Sequence, residues 1–268
     1  MYPITPFETR YLDQLDRLPP ENWQSNAYDL FMQNDWQPWF HAYQVMDKSK
    51  LIGFGMIFHF EDVAWLGWIL VDKKYRNQGI GTDITQHLMN ESKRLGAAKL
   101  VLTATELGAP IYEKLGFKTT SWYHFMSVPT GYQPKFDKAF IRPAKEMDLA
   151  AIAKLDFLAT GEKREALLKN HLDATFVYTR QSIEGFYIQN LATGLVIAST
   201  PEAGEQLNNY RLKKKNNKII VPDGNELFLK NLVDQGFNET AKVPRMTLGD
   251  EPNWQPEMIY NRAGGYCG

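Results

Sequence analysis

The hydrophobic pattern after residue 39 predicts three β-strands in succession. Apolar, β-branched and aromatic residues dominate Phe40–Met46, Leu51–Phe60 and Val63–Val71. The polar turns between them, Lys48–Lys50 and Glu61–Asp62, are three and two residues long. Because such short connections join antiparallel neighbours, the sequence predicts an antiparallel meander.

Beyond Val71 the spacing of apolar positions changes from two to about 3.6, which predicts helices between further strands. Ile80, Ile84, Leu88 and Leu95 would share one face of a helix that opens at Gly79–Gly81 and ends at Gly96. The other elements expected in this half are helices ending before Pro19 and at about 22–32 and 109–115, and strands at 99–102 and 122–128. Aromatic residues concentrate between Trp23 and Tyr43, where packing onto the sheet is the favoured role. Lining of an amine pocket is the alternative, and Trp36 and Trp39 are the pair expected to be exposed.

The second half partly repeats the first. Leu115-Gly116-Phe117 has a counterpart at Gln235-Gly236-Phe237, and each Phe is followed nine residues later by a Met, Met126 or Met246. The strand-like segments 99–102 and 218–221 precede them in the same order. A period near 120 residues indicates a duplicated domain. With a polar, proline-containing linker between them, the predicted domains span residues 1–132 and 137–268.

Composition excludes several classes of partner. The 268 residues carry a formal net charge of -1, so neither nucleic acid nor an anionic membrane surface is an expected partner. The single Cys267 excludes an internal disulfide framework. No apolar run approaches the length of a membrane span, so we expect a soluble, cytoplasmic protein. The five histidines have no metal-ligand spacing, and no metal is expected.

The segment Val71–Thr82, between a strand and a helix, has the properties of an anion site. The start of a helix presents unpaired N–H groups and partial positive charge, and glycines let a phosphate approach the backbone. Arg76, Lys73 and Lys74 add local positive charge. A dinucleotide fingerprint fails because Ile84 stands at the third glycine, and a P-loop fails on its spacing. A tight turn without a ligand is the structural alternative.

Two motifs in this half resemble those of the GNAT superfamily of N-acetyltransferases. Arg76-Asn-Gln-Gly79-Ile-Gly81 is similar to the acyl-CoA signature Arg/Gln-x-x-Gly-x-Gly/Ala. Ile111-Tyr112-Glu-Lys-Leu-Gly116-Phe117 resembles the second signature, with Tyr four residues before Gly-Phe. The resemblance covers about residues 40–128. Lys73 and Thr105 stand where many members have Pro and Asn.

The resemblance implies a mixed α/β (α+β) fold of two tandem GNAT-like domains, each a twisted, mostly antiparallel sheet flanked by helices. It also implies roles, with acetyl-CoA as co-substrate. Ile69, Leu70 and Val71 would pair with the pantetheine, and one N–H there would polarise the thioester carbonyl. Tyr112 would protonate the leaving thiolate. The expected cofactor-binding residues are Ile69, Leu70, Val71, Arg76, Asn77, Gln78, Gly79, Ile80, Gly81, Thr82, Thr105 and Tyr112.

The attacking amine must lose a proton, so a base or a water relay is expected. Glu61, at the start of the strand that ends at Val71, is the candidate base, although a solvated turn residue is the more ordinary role for it. In the second domain Leu232 replaces the tyrosine, and no Arg-x-x-Gly-x-Gly precedes its strand. That domain is therefore predicted to be catalytically silent.

The sequence predicts an N-acetyltransferase that acts on a primary amine of a small molecule or peptide. A non-catalytic acyl-CoA-binding or regulatory protein is the alternative. A protein N-acetyltransferase is a third possibility that an open acidic groove would favour. The acceptor amine, the acyl chain length and the oligomeric state are left open.

Overall fold

The computed structural model describes residues 2–20, 27–214 and 218–267, so the first residues of the helix predicted at about 22–32 lie outside the described part. The chain forms two compact units. The first comprises Met1–Lys118, Met246–Glu251 and Gly265–Cys267, and the second comprises Thr119–Arg245 and Pro252–Gly264. The domain limits proposed at residues 132 and 137 stay predictions.

In the first unit the predicted meander forms. Strands β1 (Ile4–Pro6), β2 (Phe40–Asp47), β3 (Lys50–Phe60) and β4 (Val63–Val71) pair antiparallel in that order. Strand β5 (Lys99–Thr103) then pairs with β4 in parallel. Because a parallel neighbour needs a crossover, the helix between β4 and β5 lies on one face of the sheet.

The helices of the first unit are α1 (Leu12–Leu15), α2 (Ala27–Asn34), α3 (Ile80–Arg94) and α4 (Ala109–Lys114). Helix α3 packs its apolar side chains Ile80, Ile84 and Leu88 into a buried cluster with residues of the sheet. It ends where Gly96 adopts φ 101°, a left-handed conformation that glycine accepts at no steric cost.

One aromatic expectation is wrong. Trp36 is exposed, as predicted, but Trp39 is only 5% exposed. Its indole N–H donates to the side-chain oxygen of Asn34 at 3.3 Å, so the ring lies inward at the start of β2. Trp39 therefore packs inside the first unit and is not part of an exposed pair with Trp36.

The strands of the second unit, in chain order, are β6 (Lys118–Ser127), β7 (Ile141–Pro143), β8 (Thr175–Thr179), β9 (Ile183–Ile188), β10 (Leu195–Ala198), β11 (Ile219–Pro222), β12 (Asn238–Leu248) and β13 (Ile259–Asn261). Five of them form an antiparallel sheet in the order β13-β10-β9-β8-β7. Strand β11 pairs antiparallel with β6. The end residues Lys118 and Met246–Leu248 of β6 and β12 belong to the first unit.

The helices of the second unit are α5 (Leu149–Thr160), α6 (Glu165–Asn170), α7 (Pro201–Lys214) and α8 (Glu226–Asp234). The order strand–helix–strand–helix in β10–α7–β11–α8 matches β4–α3–β5–α4 of the first unit. The prediction of a mixed α/β fold built from a repeated unit is confirmed. Among the described residues no helix is both long and apolar enough to cross a membrane.

Candidate active site

Strand β4 contains a β-bulge in its second half. Phe54 pairs with Leu70 and Met56 pairs with Gly67, so two residues of β4 face the single Gly55 between them. Trp68 in this bulge has φ 49°, a conformation that costs a non-glycine residue about 1–3 kcal/mol. Since a bulge takes backbone groups out of the regular ladder, N–H groups become available here.

Strands β4 and β5 pair only along their first residues. The parallel register runs from Val63 opposite Lys99 to Trp65 opposite Val101. Strand β4 continues to Val71, whereas β5 ends at Thr103. The two strands therefore leave a gap after Trp65, and the β5-facing edge of β4, including Ile69, Leu70 and Val71, is suited to pairing with an extended ligand.

The loop after β4 coils into the first turn of α3. Asn77 (φ 61°) and Gly79 (φ 85°) both adopt left-handed conformations. Gly79 is the N-cap of α3 and has no side chain to cap the helix. An added Cβ at Gly79 would meet no atom within 4 Å, so the space beside it is open. The amides of Ile80, Gly81 and Thr82 come before the first intrahelical donor, Asp83 N, which bonds to the Gly79 carbonyl at 3.0 Å.

The positive charges of this loop are exposed. Arg76 donates from Nε to the Val71 carbonyl at 3.1 Å, which ties the guanidinium to the end of β4. Asp72 accepts from the Lys74 backbone N–H at 2.9 Å and pairs with Lys50 at 2.8 Å. Gln78 is also exposed. The predicted cofactor-binding residues 76–82 thus form one continuous loop and helix tip.

Helix α4 approaches this tip. A Cβ added at Gly81 would lie 3.7 Å from Val71 Cγ2 and 3.8 Å from Ile111 Cδ1, so β4, α3 and α4 meet there. Tyr112, the residue after Ile111, is 8% exposed and belongs to the same buried cluster as Ile80 and Ile84. Burial raises the pKa of Tyr112 to about 12, so its hydroxyl keeps its proton at neutral pH.

Two other predicted residues have different surroundings. Thr105 is exposed, and its hydroxyl oxygen accepts the Gly108 N–H at 3.2 Å at the entry of α4. Glu61 is exposed in the turn before β4, with φ 53°. It lies six residues before Gly67, roughly 20 Å along an extended strand, so its position does not favour it as the base at the bulge.

A cavity of about 220 Å³ lies beside the first turn of α3. It is lined by Tyr2, Ile4, Val45, Gln78, Ile80 and Asp83. Two of the predicted cofactor-binding residues, Gln78 and Ile80, line this cavity, and the Asp83 carboxylate would repel an anion on its side of the helix tip. Within the described part of the chain, no group of three His, Cys, Asp or Glu side chains could hold a metal ion.

The equivalent helix tip of the second unit is closed by its own side chains. The Thr200 hydroxyl oxygen accepts the Ala203 N–H at 3.3 Å in the first turn of α7. The same hydroxyl donates to the Glu184 carboxylate at 2.9 Å. A carboxylate therefore already lies at the position where a phosphate would approach, and Leu232 stands in place of the tyrosine.

Sequence reasoning missed two features of the site. The bulge at Trp68 has no signal in the strand's apolar run, because tryptophan is an ordinary strand residue. The segment Gly265–Cys267 lies in the first unit, against β4 and β5, although it is distant from them in sequence. No local pattern could have predicted that contact.

Comparison with known proteins finds the same family in both halves. The acetyltransferase (GNAT) family model matches residues 9–117, and a second GNAT acetyltransferase domain model matches residues 152–261. The uncharacterized N-acetyltransferase YitH of Bacillus subtilis is 25% identical over 219 residues, 76% of each chain. The ribosomal protein bS18-alanine N-acetyltransferase of Escherichia coli is 33% identical over 78 residues, which are 28% of this chain and 53% of that protein.

Solved structures share the two-unit architecture. A Pyrococcus horikoshii protein assigned as an acetyltransferase has a TM-score of 0.83 at 19% identity, covering 99% of this chain and 95% of that one. A tandem GNAT protein from the clavulanic acid biosynthesis pathway has a TM-score of 0.65 at 13% identity, covering 93% and 98%. With one family matched in both halves, the chain belongs to the GNAT superfamily as a tandem-domain acyltransferase.

Proposed function

We propose that the first unit transfers an acetyl group from acetyl-CoA directly to a primary amine of a small molecule or peptide. The observation that carries the proposal is the gap between β4 and β5, with an uncapped glycine helix tip at one end and Tyr112 beside it. Similarity to an alanine N-acetyltransferase and to an uncharacterized N-acetyltransferase supports it.

The helix tip supplies the anion-binding part. The amides of Ile80, Gly81 and Thr82 would donate to the pyrophosphate, and the open space at Gly79 lets phosphate oxygens reach the backbone. The glycine conformation holds these donors in place before the ligand arrives, which reduces the entropy lost on binding. Lys73, Lys74 and Arg76 add long-range attraction for the anion.

The bulge supplies the electrostatic part. The co-substrate contributes a thioester whose carbonyl carbon accepts the amine and whose sulfur leaves. Backbone N–H groups after Trp68 would donate to the carbonyl oxygen as negative charge develops there, and the rigid sheet holds them in position. As the C–N bond forms and the C–S bond breaks, Tyr112 would donate the proton that the sulfur takes up. The amine's own proton leaves through water or a base that stays unassigned.

The second unit is proposed to be silent. Thr200 and Glu184 close its helix tip, and Leu232 carries no proton to donate. One acetyl-CoA should therefore bind per chain.

An amine panel tests the proposal. Release of free thiol from acetyl-CoA is followed with wild type and with Gly81→Glu, which places a negative charge at the helix tip. Amine-dependent release by wild type and its loss in the variant would support the proposal. Acetyl-CoA binding without amine-dependent release across a broad panel would instead indicate the acyl-CoA-binding protein.

A further inference from the structure

The segment Gly265–Cys267 lies across the ends of β4 and β5 within the first unit. A Cβ added at Gly67 would come within 2.6 Å of Tyr266 Cβ and 3.2 Å of Met56 Cε. On the other strand, the Thr103 hydroxyl donates to the Gly265 carbonyl at 3.2 Å. The Tyr266 ring packs on Phe58 with centroids 5.0 Å apart. The segment thus touches both strands where they separate.

The segment lies on the face of the sheet opposite α3. Ala64, Leu66, Leu100 and Leu102 point into the cluster that includes Ile84 and Leu88 of α3. Because strand side chains alternate between faces, Gly67 and Thr103 point the other way, towards Tyr266. Cys267 is fully buried, which anchors the segment on this face.

This position decides how an amine can approach. The core of α3 fills one face of the sheet, so a thioester held in the gap by the bulge is accessible from the opposite face. That face is bounded at Gly67 and Thr103 by the 265–267 segment. We propose that this segment forms a wall of the acceptor site and that Tyr266 is the residue that limits the size of the amine. The inference rests on the proposed function.

The chemistry of the wall indicates the acceptor class. Tyr266 is the partly exposed side chain of this wall and packs on the fully buried Phe58, so the wall presents an uncharged aromatic surface. Such surfaces favour an apolar or aromatic body next to the reacting amine. The close contact at Gly67 leaves no space for an added methyl group, so Tyr266 lies directly against β4 where the strands separate.

Removal of the Tyr266 side chain tests the wall. With Tyr266→Ala, kcat/KM for amines that carry a bulky aromatic group should rise about tenfold relative to small amines, while KM for acetyl-CoA stays within twofold. One added or missing methylene in a hydrophobic pocket changes selectivity by about 10–200-fold. Phe157→Ala is the matched control, since Phe157 is an exposed aromatic of the second unit, and its amine profile should equal that of wild type.

A paired variant separates a wall from general destabilisation. Gly67→Ala should displace the segment and raise KM for small amines at least fivefold, because its Cβ collides with Tyr266 Cβ. Tyr266→Gly removes the colliding atom, so in the double variant Gly67→Ala/Tyr266→Gly the amine preference should match that of Tyr266→Gly alone. An unchanged amine profile in Tyr266→Ala, in an enzyme that binds acetyl-CoA and turns over, would overturn the inference and leave the proposed function intact. Absence of acetyl-CoA binding in wild type would overturn both.

Discussion

The backbone N–H of Phe117 donates to the carbonyl of Tyr112 at 3.0 Å. In the second unit the N–H of Phe237 donates to the carbonyl of Leu232, also at 3.0 Å. Each bond closes a helix at a left-handed glycine, Gly116 or Gly236. The same turn therefore fixes the same position of the chain twice, and only the first copy carries a hydroxyl there.

Tyr112→Phe should lower kcat about 100-fold and leave KM for acetyl-CoA within twofold. The change removes the proton donor and keeps the buried ring, and general acid catalysis contributes about 10²–10⁴-fold. Steady-state kinetics with the best amine of the panel measures both constants. Tyr43→Phe is the matched control, because that hydroxyl also has its pKa raised to about 12 by burial but faces Glu91. Equal losses of kcat in the two variants would contradict the assignment.

The pH profile of kcat should show no falling limb from Tyr112 between pH 6 and pH 10. A hydroxyl whose pKa is raised to about 12 keeps its proton throughout this range. The rising limb should come from deprotonation of the amine or its base. A descending limb near pH 9 that disappears in Tyr112→Phe would contradict the pKa and the solvent-excluded position of the ring.

Asp156→Ala should destabilise the second unit strongly. Asp156 accepts from Arg164 at 2.7 and 2.8 Å, and both side chains are buried. Removing one partner of a buried pair costs about 3–5 kcal/mol, and Glu162, 3.5 Å from Arg164, should keep the loss towards the lower end of that range. Thermal melting measures the change. Glu202→Gln, in the exposed pair with Arg180, is the control and should change stability by less than about 1 kcal/mol. A similar loss of stability in both variants would contradict the expected difference between a buried and an exposed ion pair.

Acid should destabilise the first unit through His41 and His87. Burial lowers the pKa of both below 6.5, with Glu91 opposing the shift at each, while His59 and Arg94 also lower that of His41. Below about pH 6.5 the histidines of the unfolded chain therefore take up protons, whereas those of the folded chain do not until the pH reaches their lowered pKa values. The free energy of unfolding consequently falls as the pH drops from 6.5 towards those pKa values. Melting between pH 5 and pH 8 should show this slope. The double variant His41→Gln/His87→Gln should flatten it, and an unchanged slope would exclude these groups as its source.

The meander and the turn from β4 into α3 could be predicted from sequence because their signals are local. Short polar turns separate the strands, and Gly79 and Gly81 punctuate the change from strand to helix. The repeat at Gly116 and Gly236 could be predicted for the same reason, since each glycine ends a helix in a conformation that other residues avoid.

The remaining features depend on contacts that are distant in sequence. Trp68 lies in a bulge because Gly55 of the neighbouring strand faces two residues, a matter of register between strands. Trp39 lies inward and bonds to Asn34, although the sequence predicted it to be exposed together with Trp36. Gly265–Cys267 joins the first unit across about 160 residues of sequence, as the bond from Thr103 to Gly265 illustrates.

Binding of the co-substrate's phosphates at the Gly79 helix tip is central to the proposed function, and one pair of variants tests it separately from helix stability. Gly79 and Gly96 lie at opposite ends of α3 with φ of 85° and 101°, and a Cβ at either would meet no atom within 4 Å. Alanine at either position should therefore cost a similar backbone strain of about 1–2 kcal/mol. Only at Gly79 would the new methyl group lie where phosphate oxygens approach.

Isothermal titration with coenzyme A measures the affinity and the number of molecules bound per chain. Wild type and Gly96→Ala should bind one molecule per chain with the same affinity, and Gly79→Ala should bind at least tenfold more weakly. Absence of heat with wild type, two molecules bound per chain, or equal affinity in both alanine variants would contradict the account.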